Sequence, residues 1–371
     1  MTLLRRLQLA PNRSHLLLGP RRVGKSTYLR AAFPDAEWID LLDTDKYYEY
    51  ARRPALLHER FATRPRTIVI DEVQRVPDLL FEVHRLIEGT KNRFVLCGSS
   101  ARKLRQQGVT NLAGRLRSAQ LYPLTAAEIP AYDLMERLQW GCLPPVVFSD
   151  DPQQDLRDYG GEYLREEVVA EGLVRNLQAF ANFLETAALS NAQVISFASV
   201  ARDCGVSTKT AQEYFQILED TLVGTLLQPW TRAKKRRSML APKFYYFDCG
   251  LVNTLLRRTL APTGPEVGTA FEQFIVLETL AARGYDKRFE KVRFWRAYGG
   301  YEVDLLLDDH TAIEIKAGRV RPEELKGLRA LREELKLKRM WVVSRERHRR
   351  TLEGGIEVLP WREYLEALAQ L

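Results

Sequence analysis

Hydrophobic and polar positions change rhythm twice along this chain. Over the first ~130 residues, short apolar runs alternate with stretches of helical periodicity, the pattern of parallel α/β units. The runs predict strands at His15 to Leu18, Glu37 to Leu41, Thr67 to Ile70 and Phe94 to Cys97, the last running straight into Gly98, Ser99 and Ser100. The segment from Gly141 to Pro152 gathers Pro144, Pro145, Pro152, Asp150 and Asp151, a composition that interrupts regular structure and predicts a boundary. Beyond it the pattern is helical to about Thr221 and then mixes strands with helices. With 371 residues, two or three units are expected. The divisions read from the pattern are 1–133, 134–240 and 241–371.

In the middle segment, Ser199 to Val206 followed by Ser207 to Ala211 reads as helix, glycine turn at Gly205 and a second helix capped by Ser207. Ala211, Tyr214, Phe215, Leu218 and Leu222 recur at helical spacing and form a core face. This predicts a helix-turn-helix. A strand over Leu222 to Trp230 and a basic hairpin tip over Thr231 to Ser238 would extend it to a winged helix. Thr208, Lys209 and Gln212 would then face outward where such folds contact DNA. A packing or partner module is the competing reading.

Composition narrows the class. The chain is 45% hydrophobic and 28% charged, which fits a soluble globular protein. No stretch approaches the ~20 uncharged apolar residues of a membrane helix, and the apolar run at the N-terminus is too short for a secretory signal, so a cytoplasmic location is expected. Cys97, Cys142, Cys204 and Cys249 lie far apart with no paired spacing, which points to core packing rather than zinc or disulfides. The net charge of +8 fits a polyanion partner. From Lys316 to Arg350 there are 13 Lys or Arg against 5 Asp or Glu, an excess equal to that of the whole chain. A second basic cluster holds Arg232, Lys234, Lys235, Arg236 and Arg237.

Gly19 to Ser26 reads GPRRVGKS between an apolar strand and a helix, the context a phosphate-binding loop needs. Gly19 and Gly24 let backbone N–H groups turn toward phosphates, with the helix N-terminus adding favourable partial charge. Lys25 is assigned to the β and γ phosphates and the Ser26 hydroxyl to Mg²⁺; Arg22 and Thr27 belong to the same nucleotide site. The strand Thr67 to Ile70 ends in Asp71 and Glu72, placed to hold Mg²⁺ through water and to polarise the attacking water, respectively. Two acids favoured by a helix N-terminus are the bland alternative. Ser99 is suited to sense the γ phosphate, and Arg115 to stabilise transition-state charge in cis or from a second subunit. A turn residue and a surface salt bridge are the corresponding alternatives.

The runs GPRRVGKST, DEVQRVPDLL, CGSSARKL, LAGR and LYPLTAAE together resemble the AAA-type ATPases of bacteria and archaea that carry a C-terminal domain of uncharacterised function. The resemblance covers most of the chain. It implies a parallel-sheet P-loop ATPase core, ATP rather than GTP, and nucleotide-site roles for Lys25, Ser26, Asp71, Glu72 and Ser99.

A further group of acids lies near the other end. A helix pattern from near Gly268 carries Glu272, and Tyr301 to Leu307 and Ala312 to Lys316 are strands joined by a polar turn. Glu314 and Lys316 share one strand face. Asp304 shares it only in the register that opposes 304 to 314, with the turn centred on Asp309; a one-residue slip reverses the side. In that register Asp304 and Glu314 can bind Mg²⁺, Lys316 can steady the attacking hydroxide or phosphorane charge, and Glu272 can complete the metal shell. This resembles the PD-(D/E)XK nuclease superfamily with Asp304, Glu314 and Lys316 at its motif positions, Glu272 as the helical acid, and Val303 in place of the proline. An ordinary hairpin with solvent-facing charges is the alternative.

The overall expectation is an α/β protein: an ATPase core, a winged-helix middle domain and a C-terminal α/β nuclease-like domain. Its expected function is ATP-dependent DNA processing with metal-dependent phosphodiester cleavage, DNA of branched or structured form as partner, no membrane, and either a homo-oligomer sharing Arg115 or a monomer using it in cis. The alternative function is a nucleotide-switched DNA- or protein-binding regulator whose terminal domain does not cleave.

Overall fold

A computed structural model describes residues 4–99, 114–160, 174, 176–286 and 291–370. The chain is a mixed α/β protein that separates into two compact units, residues 1–129 with 220–223, and residues 130–219 with 224–371. No helix among the described residues is long and apolar enough to cross a membrane.

The first unit is built on a parallel sheet of five strands: β1 (Ser14–Leu18), β2 (Glu37–Asp40), β3 (Thr67–Asp71), β4 (Arg93–Gly98) and β5 (Leu116–Gln120), in the order β2-β3-β4-β1-β5. The expected apolar runs form β1 to β4, since strands buried on both faces read as continuous Val, Ile and Leu. The edge strand β5 was not foreseen: its sequence LRSAQ is polar and largely exposed, and it pairs only with β1. The register Val69 to Val95 to His15 brings the carboxyl ends of β3, β4 and β1 side by side. Helices Thr44–Arg52 and Leu79–Gly89 contribute Tyr50, Leu79, Leu80, Val83 and Leu86 to the core beneath them.

The second unit begins at Pro130, and the start of the segment Gly141 to Pro152 is tied to a later helix within it. Cys142 donates its N–H to Asp248 Oδ2 at 2.7 Å, while Asp248 also caps the helix Cys249–Leu255. A Cβ on Gly141, whose φ is 75°, would lie 1.9 Å from Asp248 Oδ1. The glycine there allows a close approach, and Pro144 and Pro152 begin short helices.

Helices Leu177–Leu189, Phe197–Cys204 and Thr208–Asp220 precede and follow the short strand β6 (Gln193–Val194), and β7 (Gly224–Leu227) and β8 (Lys243–Tyr246) complete an antiparallel sheet ordered β6-β8-β7. Gly205 makes the turn with φ 66°, and Ser207 Oγ accepts the Thr210 N–H at 3.1 Å. The second helix ends at Asp220, so Leu222, with φ 60°, lies beyond the helical face assigned to it.

The basic segment between β7 and β8 corrects the expected hairpin tip. It lies against the sheet that follows, bridged at Pro229 to Phe294 and Ser238 to Ala297. Trp230 is buried in that sheet's core. Glu334 Oε2 accepts the backbone N–H groups of Lys234 and Lys235, and Arg236 pairs with Glu333 at 3.0 Å and Glu334 at 3.4 Å. Much of the charge of this tract is therefore answered within the protein.

The final sheet has six strands, β9 (Val292–Ala297), β10 (Tyr301–Leu307), β11 (Thr311–Lys316), β12 (Arg339–Ser344), β13 (Arg350–Leu352) and β14 (Ile356–Pro360), ordered β13-β14-β12-β11-β10-β9. β9, β10 and β11 are antiparallel neighbours, whereas β11, β12 and β14 run parallel. Helices Glu266–Asp286, Lys326–Arg332 and Trp361–Leu368 pack on it.

Candidate functional site

The phosphate loop leaves the end of β1, between β4 and β5 in the sheet, and enters the helix Lys25–Ala32 through Gly24, whose φ of 86° is the left-handed conformation that favours glycine. Arg22 adopts it too, at φ 62°. Gly19 is required by packing: a Cβ there would meet the Leu121 carbonyl oxygen at 2.5 Å. Lys25 is buried and donates from Nζ to the carbonyl oxygens of Gly19 at 2.8 Å and Pro20 at 2.9 Å. The ammonium is thus held over the loop that would cradle phosphates. Thr27 is exposed on the first helical turn.

Asp71 ends β3, buried, and accepts the Ser26 hydroxyl at 2.6 Å. These two hard oxygen donors fit Mg²⁺ bound together with a nucleotide phosphate. Glu72 follows with φ 54°, a strained backbone for a side chain of this kind. Its carboxylate accepts from Gln74 Nε2, which also lies 3.3 Å from Ser99 Oγ at the end of β4. Gln74, buried, links Glu72 to Ser99, and its Oε1 has no hydrogen-bond partner among the described residues. Sequence reading passed over it because a glutamine in an irregular turn carries no motif.

A second residue was missed. Arg5 donates to the Val23 carbonyl in the phosphate loop at 2.8 Å, to the Tyr122 carbonyl at 2.7 Å and to Glu128 at 3.1 Å. Glu128 also accepts the Thr125 and Arg6 N–H groups. The acid of LYPLTAAE therefore clamps the loop through Arg5. Arg115 is exposed and ion-paired with Glu88, which lowers the Glu88 pKa. Residues 100–113, including the LA of LAGR and the end of CGSSARKL, lie outside the described residues.

The acids of the second unit come together. Leu305 pairs with Ile313, which sets Asp304 opposite Glu314, the favourable register. Asp308 and Asp309, both left-handed at φ 49° and 59°, form the turn that fixes it. Asp304 Oδ2 accepts the Ile315 N–H at 2.8 Å, and Lys316 Nζ donates to Glu314 Oε1 at 2.7 Å. Glu314 Oε2 is buried without a hydrogen-bond partner among the described residues, an oxygen that fits a cation shared with Asp304. Burial, then the neighbouring Asp304 charge, push the Glu314 carboxyl up to about 8 against the pull of Lys316.

Glu272 is otherwise engaged. Its Oε1 accepts the Tyr245 hydroxyl at 2.7 Å and Lys243 Nζ at 3.0 Å, and burial and Asp304 raise its pKa to about 7. Lys243, buried at the start of β8, also contacts Glu302 at 2.5 Å and Asp304 at 3.3 Å. Burial alone would depress its pKa, but Tyr245, Glu272, Asp304 and Glu302 outweigh that and hold it well above the ordinary lysine value. No sequence signal marked it, because the acids it meets lie 29 to 61 residues away. Among the described residues, no group of three or more His, Cys, Asp and Glu side chains is placed to hold a metal ion.

Just past Lys316, at the carboxyl ends of β11 and β12, opens a groove of about 880 Å³ lined by Ala317, Gly318 and the segment Arg345 to Arg350. Arg319, Arg345, Arg347, Arg349 and Arg350 face a single acid, Glu346. Glu346 pairs with Arg350 at 2.9 Å and Arg349 pairs with Glu357, but Arg319 and Arg347 are exposed and make no ion pair among the described residues. Ligands in open α/β sheets characteristically sit at this end of the strands.

Comparison with known proteins divides the chain in three. Residues 11–130 match the family described as AAA domain, and residues 131–261 and 267–364 match two domains of unknown function, DUF8612 and DUF4143. The uncharacterized proteins Rv2008c of Mycobacterium tuberculosis and Mb2031c of Mycobacterium bovis are each 29% identical over 360 residues, covering 93% of this chain and 79% of theirs. Among solved structures, the Aeropyrum pernix ORC1 protein in complex with DNA is similar at TM-score 0.26 and 13% identity, over 66% of this chain and 86% of that one. A STAND protein with a tetratricopeptide repeat sensor, PH0952 from Pyrococcus horikoshii, gives 0.23 and 13%, over 77% and 49%. Likenesses at these TM-scores carry no functional argument. The matched AAA family and the phosphate loop after β1 lead to one statement: residues 11–130 are an AAA-type P-loop ATPase domain.

Proposed function

We propose that this protein is an ATP-dependent DNA-processing enzyme, in which hydrolysis at residues 11–130 drives engagement of DNA by the remainder of the chain. The observation that carries the DNA reading is the arginine groove beside Lys316, whose exposed Arg319 and Arg347 make no ion pair among the described residues. Phosphate contacts of this kind dominate nucleic-acid affinity and make it depend on salt. The order helix, β6, helix, helix, β7, β8 supports a winged helix within 134–240, with Thr208, Lys209 and Gln212 at the start of its last helix. The 241–371 segment is read as the nuclease-like domain.

In this mechanism Lys25 and the loop N–H groups bind the β and γ phosphates, and Glu72, oriented by Gln74, takes a proton from the attacking water. Ser99 reads the γ phosphate through the same glutamine. Mg²⁺ would be held by Ser26 and, through water, by Asp71, supplying charge neutralisation on the phosphates. Arg115 completes the site in cis or from a second copy of the chain.

Metal-dependent cleavage is the reading supported by Asp304 opposite Glu314, with Lys316 beside Glu314 and the buried Glu314 oxygen described above. A nucleotide-switched, non-cleaving DNA- or protein-binding regulator is favoured instead by Lys243, whose ammonium already pairs with Glu272, Glu302 and Asp304. The test is a panel of linear and branched DNA incubated with Mg²⁺ or Mn²⁺, with and without ATP, beside Asp304→Ala and Arg319→Ala/Arg347→Ala. Cleavage lost in Asp304→Ala supports the enzyme reading. DNA binding without cleavage in every arm leaves the regulator, and a salt slope unchanged by the double arginine variant removes the groove from the interface.

A further inference from the structure

We infer that Lys243 is a built-in cation of the carboxylate cluster, standing where a second metal ion would bridge Glu272 and Asp304, so that the cluster accepts at most one divalent cation, at Asp304 and Glu314. The inference rests on the nuclease-like reading of that cluster and adds a positioning residue from outside the two-strand motif.

Geometry makes the case. Three carboxylates converge on one ammonium: Glu302 at 2.5 Å, Glu272 at 3.0 Å and Asp304 at 3.3 Å, with the Lys243 side chain 3% exposed. These are the contacts of an ammonium ion-paired to carboxylates, hydrogen-bonded to Glu272 and Asp304. A Mg²⁺ ion holds its oxygens at about 2.0–2.1 Å, so it would need the acids drawn in and the ammonium expelled. The Tyr245 hydroxyl, bound to the same Glu272 oxygen, locks that acid toward Lys243. The Glu272 oxygen that would reach a shared metal is thereby already committed to Lys243 and Tyr245.

Charge gives the same answer. Glu272, Glu302, Asp304 and Glu314 meet Lys243, Lys316 and, at 3.4 Å from Glu302, Arg296. With all four acids ionised, one negative charge is left over, and the cluster's buried oxygen without a hydrogen-bond partner among the described residues belongs to Glu314, which Lys243 does not contact in any ion pair of the described residues. One divalent ion reverses that small excess. A second would put two dications and three protein cations in one buried cluster, where like charges repel far more strongly than in water.

Lys243 also arrives from the β6-β8-β7 sheet, whereas Asp304 and Glu314 come from the six-stranded sheet. The cluster is therefore completed by the segment that precedes it.

The test is Mn²⁺ stoichiometry on the full chain, by calorimetry and by electron paramagnetic resonance, without nucleotide and in an Asp71→Ala background that silences the nucleotide site. Lysine at 243 should give no more than one Mn²⁺ per chain. Lys243→Gln and Lys243→Met should each gain one site, lost again on adding Glu272→Gln, while Lys243→Arg should behave as the parent. Thermal melting checks that each variant folds. Two Mn²⁺ ions with Lys243 intact would overturn the inference whether or not the variants fold. One ion in both the parent and folded Lys243→Gln would overturn the role of Lys243 and leave the metal-site reading standing. No ion in either would overturn both.

Discussion

Ser26 and Asp71, 45 residues apart in sequence, meet in a 2.6 Å hydrogen bond at the carboxyl ends of β1 and β3. That bond puts the hydroxyl of the phosphate loop and the acid of the neighbouring motif on one point in space. Ser26→Ala should therefore weaken Mg²⁺-dependent ATP hydrolysis while leaving binding of metal-free nucleotide nearly intact. Comparing ATP affinity with and without Mg²⁺ reads this directly, and an equal loss in both would place Ser26 elsewhere.

Glu72→Gln keeps the shape and its contact with Gln74 but removes the base. Turnover should fall by about 10²–10⁴, the usual contribution of a general base, with ATP binding preserved. Gln74→Ala should lower turnover less, because it only aims Glu72 and Ser99. Single-turnover kinetics beside a binding assay separates the two, and full activity in Glu72→Gln would reject its role.

Arg5 and Glu128 form an almost fully buried pair, with side chains 4% and 1% exposed. Removing one partner of such a pair costs about 3–5 kcal/mol because the other charge is left behind. Arg5→Met should lower the melting temperature and loosen nucleotide binding together, since the same guanidinium holds the Val23 carbonyl of the loop. Nucleotide affinity unaffected in folded Arg5→Met would confine Arg5 to stability.

The Glu314 carboxyl has a folded pKa of about 8, raised by burial from its ordinary value of 4.5. A group shifted upward holds its proton more tightly in the folded state, so its stabilising contribution is complete below about pH 4.5. It fades as pH rises toward 8. The difference in melting temperature between the parent and Glu314→Gln should thus change steadily between pH 5 and 8 and level off above. A difference independent of pH over that window would contradict the shift.

How much of this was legible follows from sequence distance. The phosphate loop and the strand ending in Asp71 were readable because each is a local run with its own chemistry, and the alternation of apolar and polar residues in Tyr301 to Lys316 limited the hairpin to two registers. Choosing between them took Asp308 and Asp309, whose left-handed backbones set the turn. Lys243 was invisible because a lysine beginning an aromatic strand looks like a solvated end, while its partners are distant acids. The basic tract at 232–237 misled for the same reason, its counter-charges Glu333 and Glu334 lying nearly 100 residues on. β5 hid because an edge strand with polar residues lacks an apolar signature.

The delivery of Lys243 by β8 bears on how this protein can be dissected. A fragment beginning at residue 267, where the match to the last domain of unknown function starts, would retain Glu272, Glu302, Asp304 and Glu314 but leave Lys243 behind. Such a piece would be a different reagent: an acid-rich pocket, short of an internal counterion and hungry for added metal. Metal affinity measured on the isolated fragment would describe the cut, and only chains that begin upstream of β8 carry the pocket that the whole protein uses.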